Sequence, residues 1–140
     1  MDKEKIIEKL KDHYEHDYAA AFVYLFGSYA KEKYNRDSDI DVAVYLRDLA
    51  SVESFEYKIE ETLRLQDLFK KSVDIVILNH ASPILANQVF RYGVLIKGFE
   101  NRLLSKFRVE NFYKYLDQVR LSNMIFQRNK QRIKEAVKNG

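Results

Sequence analysis

Phe26-Gly-Ser-Tyr-Ala-Lys-Glu-Lys-Tyr-Asn-Arg-Asp-Ser-Asp-Ile-Asp-Val42 decides how this chain reads. An apolar run breaks at Gly27-Ser28, and after ten intervening residues a second apolar run opens on Asp39 and Asp41. The first run, from Ala19 through Phe26, reads as a buried strand, and Ile40 to Leu46 reads as a second. Asn35-Arg-Asp-Ser38 reads as the turn between them, preceded by a short helix from about Tyr29 to Lys33. Strand side chains alternate faces, so Asp39 and Asp41 point the same way, roughly 7 Å apart.

Two carboxylates on one face repel unless a cation lies between them. Magnesium takes hard oxygen ligands and joins carboxylates to substrate phosphates, and two ions about 4 Å apart can serve an in-line phosphoryl displacement. Gly27 lets the backbone approach a phosphate closely. The Ser28 hydroxyl and the N–H groups at the start of the following helix can bind phosphate oxygens. Asp74 is the candidate third carboxylate. It interrupts the apolar strand Val73–Leu78, where a charge is costly unless paired or metal-bound. Each residue also has a plainer reading. Asp-Ser-Asp clusters occur in loops, Asp74 could pair with a Lys or Arg, and Ser28 could serve only as a helix cap.

The rest of the chain reads as helices around these strands. Ile6, Ile7, Leu10 and Tyr14 mark one helical face over residues 3–16. Ser51 to Phe69 is a helix with Ser51 as N-cap and a stripe of Val52, Phe55, Ile59, Leu63 and Leu65 or Leu68. Ser82-Pro83 starts another, which stops at Gly93, and Val94–Lys97 is a short fourth strand. From about residue 100 to 137 the pattern is one long or broken helix. Its stripe of Phe112, Leu116, Val119, Phe126, Ile133 and Val137 reads first as packing surface, with room for a partner. The expected organisation is a single domain over 1–140, its core about 18–98 and a helical extension about 100–137.

Composition narrows the function. The chain has 140 residues, 46% of them apolar and 14% aromatic, which disfavours disorder. A net charge of +3 with interspersed signs does not mark a strong nucleic-acid binder. The absence of cysteine removes disulfides and thiolate metal sites. The charged start reads as an amphipathic helix rather than a signal peptide, and no apolar run has membrane-spanning length. The expected compartment is the cytoplasm. His13, His16 and His80 show no metal-ligand spacing and read as surface or helix-end residues.

Gly27-Ser28, ten residues, then Asp39-Ile-Asp41, with Asp74 on a later strand, resembles the nucleotidyltransferase superfamily that includes DNA polymerase beta. The whole chain is similar to its minimal branch, the MNT-type antitoxins of HEPN/MNT toxin–antitoxin pairs. The resemblance implies a two-layer α/β (α+β) nucleotidyltransferase fold, with a mixed sheet covered by helices and a long C-terminal helix. It implies Asp39, Asp41 and Asp74 as metal-binding and catalytic residues for two magnesium ions, and Gly27 and Ser28 as nucleotide-binding. It further implies transfer of AMP from ATP to a tyrosine of a cognate HEPN RNase toxin, in a hetero-oligomeric complex. One departure stands out. Many relatives carry a small residue, an arginine and a glycine soon after Gly-Ser, where this chain has Ala30-Lys31-Glu32. Two other readings remain open, a non-catalytic antitoxin that masks its partner and a transferase acting on a small-molecule antibiotic.

Overall fold

The computed structural model describes residues 2–48 and 51–139. The Ser51 and Val52 side chains also lie outside the described residues, and with them the cap expected of Ser51. The elements run α1 (Lys3–Glu15), β1 (Ala20–Phe26), β2 (Ile40–Leu46), α2 (Ser51–Phe69), β3 (Val73–Ile77), α3 (Pro83–Tyr92), β4 (Val94–Lys97) and α4 (Arg102–Asn139), with a 3-10 turn at Leu78–His80. The sheet order is β3-β2-β1-β4. β1 pairs antiparallel with β2 and with β4, and β2 pairs parallel with β3. This is the mixed, helix-covered sheet with a long final helix that the resemblance implied.

Alternation along the strands divides the core. Val23, Leu25, Val42, Val44 and Ile75 face α1 and α2, where Ile6, Leu10, Leu65 and Phe69 close over them. Phe22, Tyr24 and Ala43 face the opposite way, against Ala86 and Val89 of α3 and Leu104 of α4. Local signals set most of the boundaries. Asp2 accepts from the Lys5 N–H at 3.0 Å to start α1, and Ser82 accepts from the Leu85 N–H at 3.2 Å to start α3. Asn101 starts α4 by accepting from the Leu103 N–H at 2.8 Å, and its amide donates to the Ala21 carbonyl at 3.1 Å, which ties the helix to β1.

Three expectations need correction. The helix expected over 29–33 is only a turn. The Lys31 N–H reaches the Gly27 carbonyl at 3.2 Å, and the chain then reverses through Glu32 at φ 58°. On α2 most of the expected stripe faces solvent: Phe55, Ile59, Leu63 and Leu68 are exposed, and of its described members Leu65 alone is buried. The buried face carries Ser54, Glu61, Leu65 and Phe69. It prevails because its polar members find partners. Ser54 Oγ lies 3.1 Å from His80 Nε2, and Tyr57, on the same side, donates to Asp17 at 2.6 Å. On α4 the stripe is likewise exposed apart from half-buried Val119, and only Leu104 and Asn111 of that helix are buried among the described residues.

His13 is the third correction. Its Nε2 hydrogen-bonds the carboxylate of fully buried Glu61, joining α1 to α2. That bond, helped by the charges of Glu61 and Asp17, holds the imidazolium above the usual histidine pKa of 6.5 against the opposing effect of burial. Burial first, then the charge of Glu61, pushes the Tyr14 phenol well above its own range. A histidine pKa raised by folding stabilises fully below the unfolded value and loses that contribution as pH rises through the folded value. Stability in urea is therefore expected to fall as pH climbs from about 6.5, and His13→Phe is expected to flatten that slope. A wild-type curve level across the same window would remove the His13–Glu61 pair as its source.

Candidate active site

Asp41 and Asp74 are direct neighbours across the parallel β2–β3 ladder, on the sheet face that carries Ala43 and Tyr45. Parallel neighbours lie about 4.8 Å apart. Asp39 precedes β2 by one residue, delivered by the expected turn. The Asp37 N–H donates to Asn35 Oδ1 at 2.8 Å, and the Ser38 N–H donates to the Asn35 carbonyl at 3.2 Å. Lys71 Nζ holds that turn from outside through the Arg36 carbonyl at 2.7 Å.

The Gly-Ser turn meets this edge directly, because Phe26 is registered opposite Asp41 in the β1–β2 ladder. Gly27 has φ 73°, and a Cβ built there would drive into the Asp41 carboxylate, 2.9 Å from its Cγ. Glycine is needed here for backbone conformation and for space alike. Ser28 lies in the turn beside it. Tyr29, buried and stacked on Tyr34 with ring centres 4.5 Å apart, roots the turn in the core.

Burial first, then the charges of Asp74 and Asp39, push the Asp41 carboxyl up to about 6. Those two charges identify Asp39 and Asp74 as the neighbours whose repulsion Asp41 feels. Asp74 itself is exposed rather than sunk in its strand, since Val73 and Ile75 take the buried face and leave it the open one. Among the described residues no three His, Cys, Asp or Glu side chains converge closely enough to hold a metal ion as they stand. The donor chemistry still fits a hard divalent cation. The site offers carboxylate oxygens on an accessible edge, and burial together with two like charges disfavours the charge on one of them, which a cation would relieve.

Two groups escaped the sequence reading. Lys31, noted only as a departure, places its Nζ 5.1 Å from the centre of the Tyr92 ring at the end of α3. A cation therefore stands in the turn that carries Gly27 and Ser28, and its residue number within the motif was the available signal. Arg91 and Arg108 line an open cleft of about 790 Å³ between α3 and α4. No sequence pattern joins those two helices.

Residues 4–103 match the family model described as polymerase beta, nucleotidyltransferase. The chain is 33% identical over 99 residues to the protein adenylyltransferase MntA of Shewanella oneidensis. That match covers 70% of this chain and 66% of the relative, just under two thirds of its length. A crystal structure of a toxin–antitoxin with AMP-PNP is similar at 28% identity and TM-score 0.69, covering 93% of this chain and 99% of that one. A structure of a tri-AMPylated Shewanella oneidensis HEPN toxin in complex with MNT antitoxin is similar at 27% identity and TM-score 0.64, covering 91% and 95%.

Two substitutions test the geometry. Gly27→Ala is expected to destabilise the fold by about 1–3 kcal/mol in urea unfolding, through backbone strain and collision with Asp41. Asp41→Asn is expected to raise the metal-free melting temperature at pH 7 by about 2–4 °C, because it removes a half-buried charge facing two others. A carboxyl pKa raised by folding destabilises above that pKa. The gain should therefore vanish below about pH 4, open between 4 and 6, and hold above.

Proposed function

The chain belongs to the polymerase beta nucleotidyltransferase family, and on that footing we propose that it is a magnesium-dependent protein adenylyltransferase of the antitoxin type. In this reading it transfers AMP from ATP to a tyrosine of a cognate HEPN RNase toxin and so silences it in the cytoplasm. The observation that carries the reading is the Gly27–Asp41–Asp74 edge: a glycine turn lying on a carboxylate pair that lacks positive charge.

The roles follow from the chemistry of each group. Gly27 and Ser28 hold the triphosphate, with backbone N–H groups and the serine hydroxyl donating to phosphate oxygens. Asp39, Asp41 and Asp74 hold magnesium, two ions in the full complement. Bound there, magnesium would supply Lewis-acid stabilisation of phosphoryl oxygens. The tyrosine oxygen attacks the α-phosphorus, a P–O bond forms, and the bond to the departing pyrophosphate breaks. Asp74, the most open of the carboxylates on β2 and β3, accepts the phenolic proton. The resemblance to an adenylyltransferase and to a structure with an ATP analogue supports ATP as donor. The resemblance to an antitoxin complexed with an AMPylated toxin supports a protein acceptor.

A second reading, neutralisation by binding alone, draws support from the exposed apolar length of α4, which needs no chemistry to cover a partner. One experiment separates them. The chain is incubated with α-labelled ATP, magnesium and the product of the neighbouring gene, and both proteins are then examined by mass spectrometry. A mass increase of one or more AMP groups on a partner tyrosine is expected, with loss of labelling in EDTA. Asp39→Asn with Asp41→Asn is expected to slow transfer about a thousandfold, the equivalent of roughly 4 kcal/mol. If that double variant neutralises the partner as well as wild type, masking is the mechanism.

A further inference from the structure

Every residue of α4 from 120 to 139 is exposed, about 30 Å of helix leaving the body. None of its side chains is buried against the body, and isolated helices of this length are marginal in water. Its apolar residues fall on two sides. Phe112, Leu116, Val119, Phe126, Ile133 and Val137 repeat at alternating steps of three and four, with Asn123 and Lys130 completing the series. Tyr113, Leu121, Met124 and Ile125 lie on the other side. A helix apolar on two sides is shaped to lie between two others.

Charge selects the occupant. Residues 118–139 carry six basic side chains against one acidic, Glu135. Arg120, Lys134 and Lys138 run along one flank of the main stripe, and Lys130 stands within it. A second copy fits poorly. Paired parallel, it sets Lys130 against Lys130, and paired antiparallel it sets the basic flank against itself. Position links this surface to chemistry. The cleft at the root of α4 adds Arg91 and Arg108, and α3 ends at Tyr92, over Lys31 of the Gly-Ser turn. α3 and α4 cover the same sheet face that carries Asp41 and Asp74.

We propose that α4 from Phe112 outward, with the α3–α4 cleft, docks the acceptor protein by lying between two of its helices whose flanks are acidic, and so brings the acceptor hydroxyl to the Asp41–Asp74 edge. The identity of the occupant as acceptor rests on the transferase reading. The docking chemistry rests on α4 and the cleft at its root, independently of that reading.

The test uses the full chain and the neighbouring gene's product, with Arg120→Glu, Lys134→Glu and Lys138→Glu combined in one variant and Phe126→Ser with Ile133→Ser in another. All five positions are exposed, so folding should survive. Calorimetry is expected to show at least a tenfold rise in Kd for both variants, and wild-type binding should weaken steeply with salt. The KM for the acceptor should rise in step, while kcat at saturating acceptor and the Kd for ATP stay unchanged. Unchanged Kd and KM in both variants would overturn the docking surface even if transfer occurs. Weakened binding without any transfer would leave the docking surface standing and remove the transferase reading. A neighbouring product that does not bind wild type, self-association through α4 in ultracentrifugation, or binding to phosphatidylglycerol vesicles in place of the protein would each overturn the proposal.

Discussion

The register of β1 against β2, which sets Phe26 opposite Asp41, is the constraint from which the site follows. A strand has a side-chain period of two, so a slip of one residue would turn Asp41 into the core beside Ile6 and Leu65 and expel Val42 and Val44. The cost of burying that carboxylate and exposing those valines holds the register. Once it is held, Gly27 must be glycine, because the Asp41 side chain occupies the space a Cβ would need. The parallel β2–β3 pairing then brings Asp74 alongside. Three separate stretches of chain meet at one edge because one ladder cannot shift.

That edge carries unrelieved repulsion, while the opposite side of the sheet does the holding. There the carboxylate of Glu61 is buried, but it is paired with His13 and approached by Arg64 at 3.6 Å. A buried charge with a partner locks α1 to α2, whereas a half-buried charge facing two like charges leaves Asp41 short of positive charge. The two faces divide the work: one supplies stability and the other stays electrostatically incomplete.

Much of this was legible beforehand. The strands at β1, β2 and β4, the Asn35–Ser38 turn and the Ser82 cap all follow from local pattern. Turn chemistry and strand alternation act over a few residues. The faces of α2 and α4 were not legible. Both helices carry apolar residues on more than one side, and periodicity alone cannot say which side meets the body. On α2 the choice fell to the face whose polar residues could find His13, Asp17 and His80, partners distant in sequence. His13 read as a surface residue for the same reason, since nothing near it in sequence announces Glu61.

By itself, then, the sequence determined the strands, the long helices, the glycine turn and the placing of Asp39 and Asp41 at the start of β2, because each is written in contiguous residues with a short-range physical rule behind it. Only the tertiary structure decided which helical faces are buried, that Asp41 is half-buried while Asp74 is exposed, and that the length of α4 beyond residue 119 lies uncovered. Those outcomes depend on the relative placement of elements tens of residues apart. Burial, pairing and repulsion are properties of that placement and have no local signature in the chain.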